Sequence, residues 1–297
     1  MDNKKIPAKV VGFIGLGIMG EPMVNNLLKS NIKINFFARR KTIINKIKKL
    51  GGNYFSDIPQ IAANSDIIIL NLPDSSDVEE VITSVKGLWK TLKKKTIIID
   101  MSTISPIKTQ LISNKLKQKD SFLIDAPVSG GQIGAINANL SIMVGGNKKV
   151  FNKIKYILEI LGENITYIGN SGSGQIAKAC NQILAASTII SVSEILLLAK
   201  KSGCSQKLIR SALMGGFANS KILDIHGMRM INDDFEPGFK TELHLKDLII
   251  ALDLAKELGL ELESAKYSKK IMNLANKKKY NNKDSSVAHK IIQNNNK

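Results

Sequence analysis

The chain has 297 residues, with 43 Lys and Arg against 25 Asp and Glu, a formal net charge of +18. At 43% hydrophobic and 23% charged residues, with seven prolines and 22 glycines, it is an ordinary globular composition of about two domains, which excludes collagen-like, low-complexity and disordered-tail readings. The excess charge is Lys spread in pairs and triples such as Lys93-Lys94-Lys95 and Lys277-Lys278-Lys279, so it reads as solvated surface favouring an anionic small molecule and not a nucleic-acid partner.

In chain order, the first segment, MDNKKIPAKV, has neither the apolar run of a signal peptide nor the Arg-rich pattern of a transit peptide, and predicts a cytoplasmic protein. From Val10 to about Ile168 short apolar runs alternate with amphipathic stretches: VVGFIG, IKINFFA, DIIILNL, TIIIDM, SFLIDA, LSIMVGG and NITYIG are the strand candidates. Continuous Ile, Val and Leu runs mark strands covered on both faces, and with helical periods between them they predict a mainly parallel sheet flanked by helices. Local punctuation agrees: Ser76 with Glu79 fits a capping box, Ser105-Pro106 opens a helix, and Gly51-Gly52 closes one.

After Gly169 the strand signal disappears. Helical periods run from about Gly174 to Lys201, where Ser202-Gly203 ends the first of them, then over Gln206–Met214, Leu243–Leu258, Glu263–Ala275 and Ser286–Ile292. The expected organisation is a dinucleotide-binding domain over residues 1–170 and an all-helical substrate and oligomerisation domain over residues 171–297. The most apolar stretch, Ile183 to Ala199, is interrupted by hydroxyls and Glu194 and falls short of the ~20 apolar residues a bilayer requires, so no membrane association is expected. Cys180 and Cys204 lack metal-ligand spacing and read as buried small hydrophobes, so no metal is expected.

The first strand candidate runs directly into Gly15-Leu16-Gly17-Ile18-Met19-Gly20 and then into a helical pattern. In that setting Gly15 permits the tight turn, Gly17 lets backbone approach a pyrophosphate, and Gly20 allows close helix–strand packing, while the helix N-terminus attracts the anion. The end of the second strand, where an NAD-selective site carries Asp or Glu, reads Ala38-Arg39-Arg40-Lys41. Three cations and no carboxylate suit the 2′-phosphate of NADP, with NAD a competitor.

Four further strings resemble the β-hydroxyacid dehydrogenase family, and the resemblance covers nearly the whole chain: DMSTISP from Asp100, DAPVSGG from Asp125 continuing to IMVGG, GSGQIAKACNQ from Gly172, and PGFKTELHLKDL from Pro237. The motifs are most similar to those of members that reduce 2-hydroxy-3-oxopropionate (tartronate semialdehyde), and next to the 3-hydroxyisobutyrate dehydrogenases. The resemblance implies an α/β Rossmann-like doubly wound sheet domain followed by an all-α domain, and a reversible hydride transfer between a nicotinamide and a small β-oxo or β-hydroxy acid. It implies a homodimer or homotetramer as well.

It also implies roles for individual residues. Ser129, Gly130 and Gly131 would hold the substrate carboxylate; Lys178 would carry the proton, its neighbours Asn181 and Gln182 lying within reach on the same helix, and either amide could orient the substrate. Leu72, Pro73, Thr103 and Lys246 would contact the cofactor. His244 reads as a packed or hydrogen-bonded residue, and Met214, Phe217 and Phe239 as candidate pocket lining. Two alternatives remain: a 3-hydroxyisobutyrate dehydrogenase using NAD, and a dinucleotide-binding protein that has lost the chemistry.

Overall fold

A computed structural model describes residues 9–296; the reading of the first eight residues lies outside the described part. The chain divides into one compact unit that ends at Lys178 and a second that begins at Ala179.

The first unit alternates strand and helix. Its elements are β1 (Val10–Ile14), α1 (Gly20–Lys29), β2 (Lys33–Phe37), α2 (Lys41–Lys49), β3 (Asn53–Tyr54), α3 (Ile58–Ala63), β4 (Ile67–Leu70) and α4 (Ser75–Thr83). They continue as β5 (Ile97–Asp100), α5 (Pro106–Lys117), β6 (Phe122–Asp125), β7 (Val128–Ser129), α6 (Gly131–Asn137), β8 (Leu140–Gly146), α7 (Lys148–Glu159) and β9 (Gly162–Gly169). The sheet order is β3-β2-β1-β4-β5-β6-β8-β7, with β9 beside β8. Strands β1 to β6 pair in parallel, β8 runs antiparallel to β6 and β7, and β9 runs parallel to β8.

The continuous apolar strands are explained by cover on both faces. Val11, Phe13, Ile67, Ile69, Ile97 and Ile99 pack with Met23, Leu27, Ile154 and Leu158. The alternate residues Ile14, Ile68, Leu70 and Ile98 pack with Val78, Ile82, Ile112 and Leu116. Each such side chain stabilises the fold by roughly 1.5–3 kcal/mol relative to exposure, so the strands at the middle of the sheet are the ones a polar substitution would damage most.

The local signals are met with one correction. Ser105 caps α5 with Pro106 in its first turn, and Gly51, at φ +94°, follows α2. The Ser76–Glu79 capping box does not form. Asp74, whose extended backbone precedes α4, accepts the Ser75 N–H instead, so the helix starts one residue before Ser76.

The helical unit begins inside α8 (Ser173–Lys201), a helix 29 residues long. It continues through α9 (Gln206–Met214), a π-helical turn at Ile222–His226, α10 (Gly227–Ile231), α11 (Thr241–Glu257), α12 (Glu263–Lys277) and α13 (Ala288–Asn295). By length and composition α8 could cross a membrane, which corrects the expectation that it falls short. Its residues Ala186, Ile189, Ile190, Val192 and Leu196 nevertheless pack into this unit's core with Leu223, Met230, Leu248, Ile271, Met272 and Ile291. Both cysteines are exposed, contrary to the expected burial. Cys204 follows the chain reversal at Gly203, φ +72°, where the helix has ended and nothing covers the thiol.

Two buried polar residues organise this unit. Asp284, fully buried, accepts N–H groups from Gly238 at 3.2 Å, Phe239 at 2.9 Å and Ser286 at 3.0 Å. It also pairs with Arg229 at 3.1 Å and His226 at 3.3 Å, which pins the loop before α11. Burial pushes its carboxyl up, but the bonds from His226, Ser286 and Phe239 outweigh that and hold it well below the usual carboxylate range. His289, 1% exposed, lies between Ser193 on α8, 2.8 Å from Nδ1, and Gln293, 2.7 Å from Nε2. With the Gln293 amide donating to Nε2, the neutral ring donates from Nδ1 to the Ser193 hydroxyl.

Candidate active site

The glycine turn sits between β1 and α1, and its three glycines meet three different demands. Gly15 has φ +104°, and a Cβ there would lie 2.1 Å from the Asn71 carbonyl oxygen of the neighbouring strand end. A Cβ on Gly20 would lie 2.0 Å from the Gly15 oxygen, whereas around Gly17 there is open space. Leu16 is buried under the turn, Ile18 is half exposed, and Met19 leads into α1, whose N-terminus no side chain caps. In the first turn, Glu21 donates to the Gly17 carbonyl at 3.0 Å and Met23 to that of Met19 at 3.3 Å, and Pro22 has no N–H, so an anion arriving over Gly17 would meet the positive end of α1 and the backbone of the glycine turn.

At the end of β2, Ala38 is buried, and Arg39, Arg40 and Lys41 are exposed at the start of α2, whose first turn holds no acidic residue. Arg40 donates to the Leu16 carbonyl at 3.1 Å, and Lys46 of α2 pairs with Glu21 of α1. These two links join the basic segment to the glycine turn. Leu72 and Pro73 follow β4, where the Leu72 N–H donates to the Ser102 hydroxyl at 2.8 Å; Thr103 is half-buried in the next loop.

Strands β5 and β6 end on in-register buried carboxylates, Asp100 and Asp125. Each holds the backbone of a loop beyond the sheet. Asp100 accepts the Ser102 N–H at 3.0 Å, and Asp125 accepts Gly172 at 2.9 Å and Gln175 at 3.2 Å, in the run-up to and first turn of α8. Burial pushes the Asp125 carboxyl above the usual range, opposed by these N–H groups. Gln175, 1% exposed, donates to the Ser102 carbonyl at 2.8 Å and accepts the Ile104 N–H at 3.1 Å. Three distant sequence motifs thus meet at one turn. Past β6, Ser129 ends β7, and Gly130 and Gly131, at φ +134° and +62°, turn the chain into α6 with consecutive N–H groups.

Along α8, Gln175, Lys178 and Gln182 recur at three and four residues, and they are 1%, 6% and 4% exposed. They form a buried polar face on the first half of α8. Cys180, two residues on, points about 200° away around the helix and is exposed.

Within the helical unit Gln182 is held firmly. Its Oε1 accepts from Asn181 at 2.8 Å, its Nε2 donates to Asp247 at 2.6 Å, and its carbonyl accepts from His244 Nε2 at 3.2 Å. Lys246 pairs with the other Asp247 oxygen at 3.2 Å, and the Phe239 ring lies 5.3 Å from that of His244. Met214 is half-buried and Phe217 fully exposed.

Sequence reasoning passed over Asp125, Gln175 and Asp247, although all three lie inside the motifs it quoted. Gln175 carried a usable signal: a polar residue three positions before Lys178, on the face that buries.

Residues 10–169 match a family model described as the NAD binding domain of 6-phosphogluconate dehydrogenase. Residues 172–292 match one described as the NAD-binding of NADP-dependent 3-hydroxyisobutyrate dehydrogenase. The chain is 44% identical to 2-hydroxy-3-oxopropionate reductase of Escherichia coli strain K12 over 89% of this chain and 90% of that protein. It is 33% identical to mitochondrial 3-hydroxyisobutyrate dehydrogenase of Mus musculus over 95% of this chain and 87% of that one. The solved structure of Mycobacterium tuberculosis 3-hydroxyisobutyrate dehydrogenase with L-serine superposes at a TM-score of 0.88 and 28% identity, covering 96% of this chain and 99% of that one.

Proposed function

This chain belongs to the β-hydroxyacid dehydrogenase family, enzymes that act on CH–OH groups with NAD(P), and on that premise we propose that it is an NADPH-preferring reductase converting a small β-oxo acid of the 2-hydroxy-3-oxopropionate type into its hydroxy acid. The observation that carries the reading is Lys178: an ammonium 6% exposed, on a helix face shared with two buried amides. A Lys in that setting is kept for charge or proton work, because burying one without a task is costly.

The glycine turn fits a dinucleotide, since Gly15 and Gly20 leave no room for side chains while Gly17 is open. In this reading Gly15 to Gly20 take the diphosphate, and Arg39 and Arg40 the 2′-phosphate. Leu72, Pro73, Thr103 and Lys246 are further cofactor contacts. A bound nicotinamide supplies the hydride. Ser129 and the Gly130 and Gly131 N–H groups hold the substrate carboxylate. Lys178 donates a proton to the oxygen of the carbonyl being reduced, leaves it a hydroxyl, and regains its proton from water.

The two amides take different roles. Both polar atoms of the Gln182 side chain are engaged, by Asn181 and Asp247, so Gln182 acts as a positioning residue. Asn181, half-buried and donating its own amide to Gln182, turns its oxygen to the substrate hydroxyl. Residues 1–170 form the dinucleotide-binding domain, which also lends Ser129, Gly130 and Gly131 to the substrate, and 171–297 the substrate and oligomerisation domain, which lends Lys246 to the cofactor, in a cytoplasmic homodimer or homotetramer. The exposed Leu184 and Leu198, 71% and 66% accessible and four turns apart on α8, support such a contact.

A panel of short oxo and hydroxy acids assayed with each nicotinamide cofactor tests this. The highest kcat/KM is expected for 2-hydroxy-3-oxopropionate with NADPH; a preference for 3-hydroxyisobutyrate with NAD overturns it.

A further inference from the structure

We propose that Asp125 and Gln175 are positioning residues of the reaction, which set the place of Lys178 by clamping the first turn of α8 to the ends of β6 and β5. The inference rests on the catalytic reading of Lys178 and adds to it.

The geometry is unusual for a helix start. The N–H groups of a helix's first turn have no partner inside the helix and are ordinarily capped by a Ser, Thr, Asp or Asn next to them in sequence. Here the acceptor comes from 47 to 50 residues away: Gly172 and Gln175 donate to the two oxygens of Asp125 at 2.9 and 3.2 Å. A negative charge at that end of the helix is also favoured by the macrodipole.

The carboxylate fits because two glycines clear its space. A Cβ on Gly145 would stand 2.5 and 2.7 Å from its oxygens, and one on Gly174 would stand 2.8 Å from Oδ2 and 2.4 Å from the Met143 carbonyl. The second clamp is the side chain of Gln175, bonded to the Ser102 carbonyl and the Ile104 N–H of the loop after β5. Backbone and side chain of the same residue are thus fixed to two different strand ends. Both clamps are buried, Asp125 at 0% and Gln175 at 1% exposed.

Lys178 lies three residues past Gln175, about 4.5 Å further along the axis and on the same face. The helix register at Gln175 therefore decides where the ammonium stands. Proton transfer is sensitive to such placement: a 1 Å error far from the chemistry can slow a reaction ~100-fold. The Asp125 bonds fix the backbone of the helix start, and the Gln175 side-chain bonds fix it to the loop after β5, so the two clamps act at different points.

The test compares D125N, Q175L and K178A by kcat, by the KM of NADPH, and by circular dichroism and thermal unfolding. D125N and Q175L are expected to fold and to lower kcat about 10- to 100-fold while the KM of NADPH changes less than about threefold. K178A should fall further. If K178A is inactive while either folded clamp variant keeps wild-type kcat, this proposal is overturned and the catalytic reading stands. A clamp variant whose kcat and NADPH affinity fall together with its melting temperature also overturns it, since that is a purely structural role. If K178A turns over like wild type, the catalytic reading fails and the clamp proposal with it. Should D125N not fold, Q175L decides alone.

Discussion

The glycine turn and the first turns of α8 do opposite things with side chains. The turn works because side chains are missing: Gly15 and Gly20 stand against backbone oxygens at distances no Cβ tolerates, and Gly17 is left open. The helix works because side chains are present where they are expensive, with Gln175, Lys178 and Gln182 buried along one face. The comparison teaches that one region is broken by adding a methyl group and the other by removing a functional group.

The largest effect should come from deletion. K178A is expected to lose about 10²- to 10⁴-fold in turnover while NADPH still binds in a fluorescence titration. Addition should do the reverse: G15A, which drives a Cβ into Asn71 and strains a positive φ, should weaken NADPH binding more than about 100-fold, with substrate effects only secondary. If G15A bound NADPH normally, the contrast between the two regions would be wrong.

Between these extremes lies the basic segment after β2. If Arg39 takes the 2′-phosphate as proposed, replacing it by Ser should raise the KM of NADPH about 10- to 100-fold while sparing NADH. R40S should weaken both cofactors, because Arg40 also holds the Leu16 carbonyl of the glycine turn; equal KM values for NADH in R40S and wild type would show that this link carries nothing.

The remaining effect is on stability. Burial, then the neighbouring Lys290, lowers the pKa of His289 to about 4, with Lys200 acting the same way and Asp233 opposing. Its folded pKa lies below the unfolded 6.5, so its contribution is complete above pH 6.5 and is lost as pH falls towards about 4, roughly 3 kcal/mol at full effect. H289Q should flatten the melting temperature of the protein across that window relative to wild type.

The parts that were legible in sequence are those whose signal is local. Ile-rich β4 and β5 announced a sheet covered on both faces, Ser105-Pro106 announced the start of α5, and the spacing of Gly15, Gly17 and Gly20 announced the turn. Strands β3 and β7, two residues each, are too short for a period to show, and the π-helical turn at Ile222–His226 has no composition of its own. The capping box failed because Asp74 competes for the same helix start. Within the candidate site, the motif pointed to Lys178. The long-range bonds made by α8 were not foreseen, because Asp125 meets its donors across 47 and 50 residues and Asp247 meets Gln182 across 65. Such pairings exist only once the sheet and helices have assembled.

The outward direction of Cys180 has a practical use. Its sulfur emerges on the side of α8 opposite the buried ammonium, and Cys204 is the other exposed thiol. With Cys204 replaced by Ser, the rate at which a maleimide reaches Cys180 would report whether the face it shares with Leu184 and Leu198, the proposed subunit contact, is covered in solution.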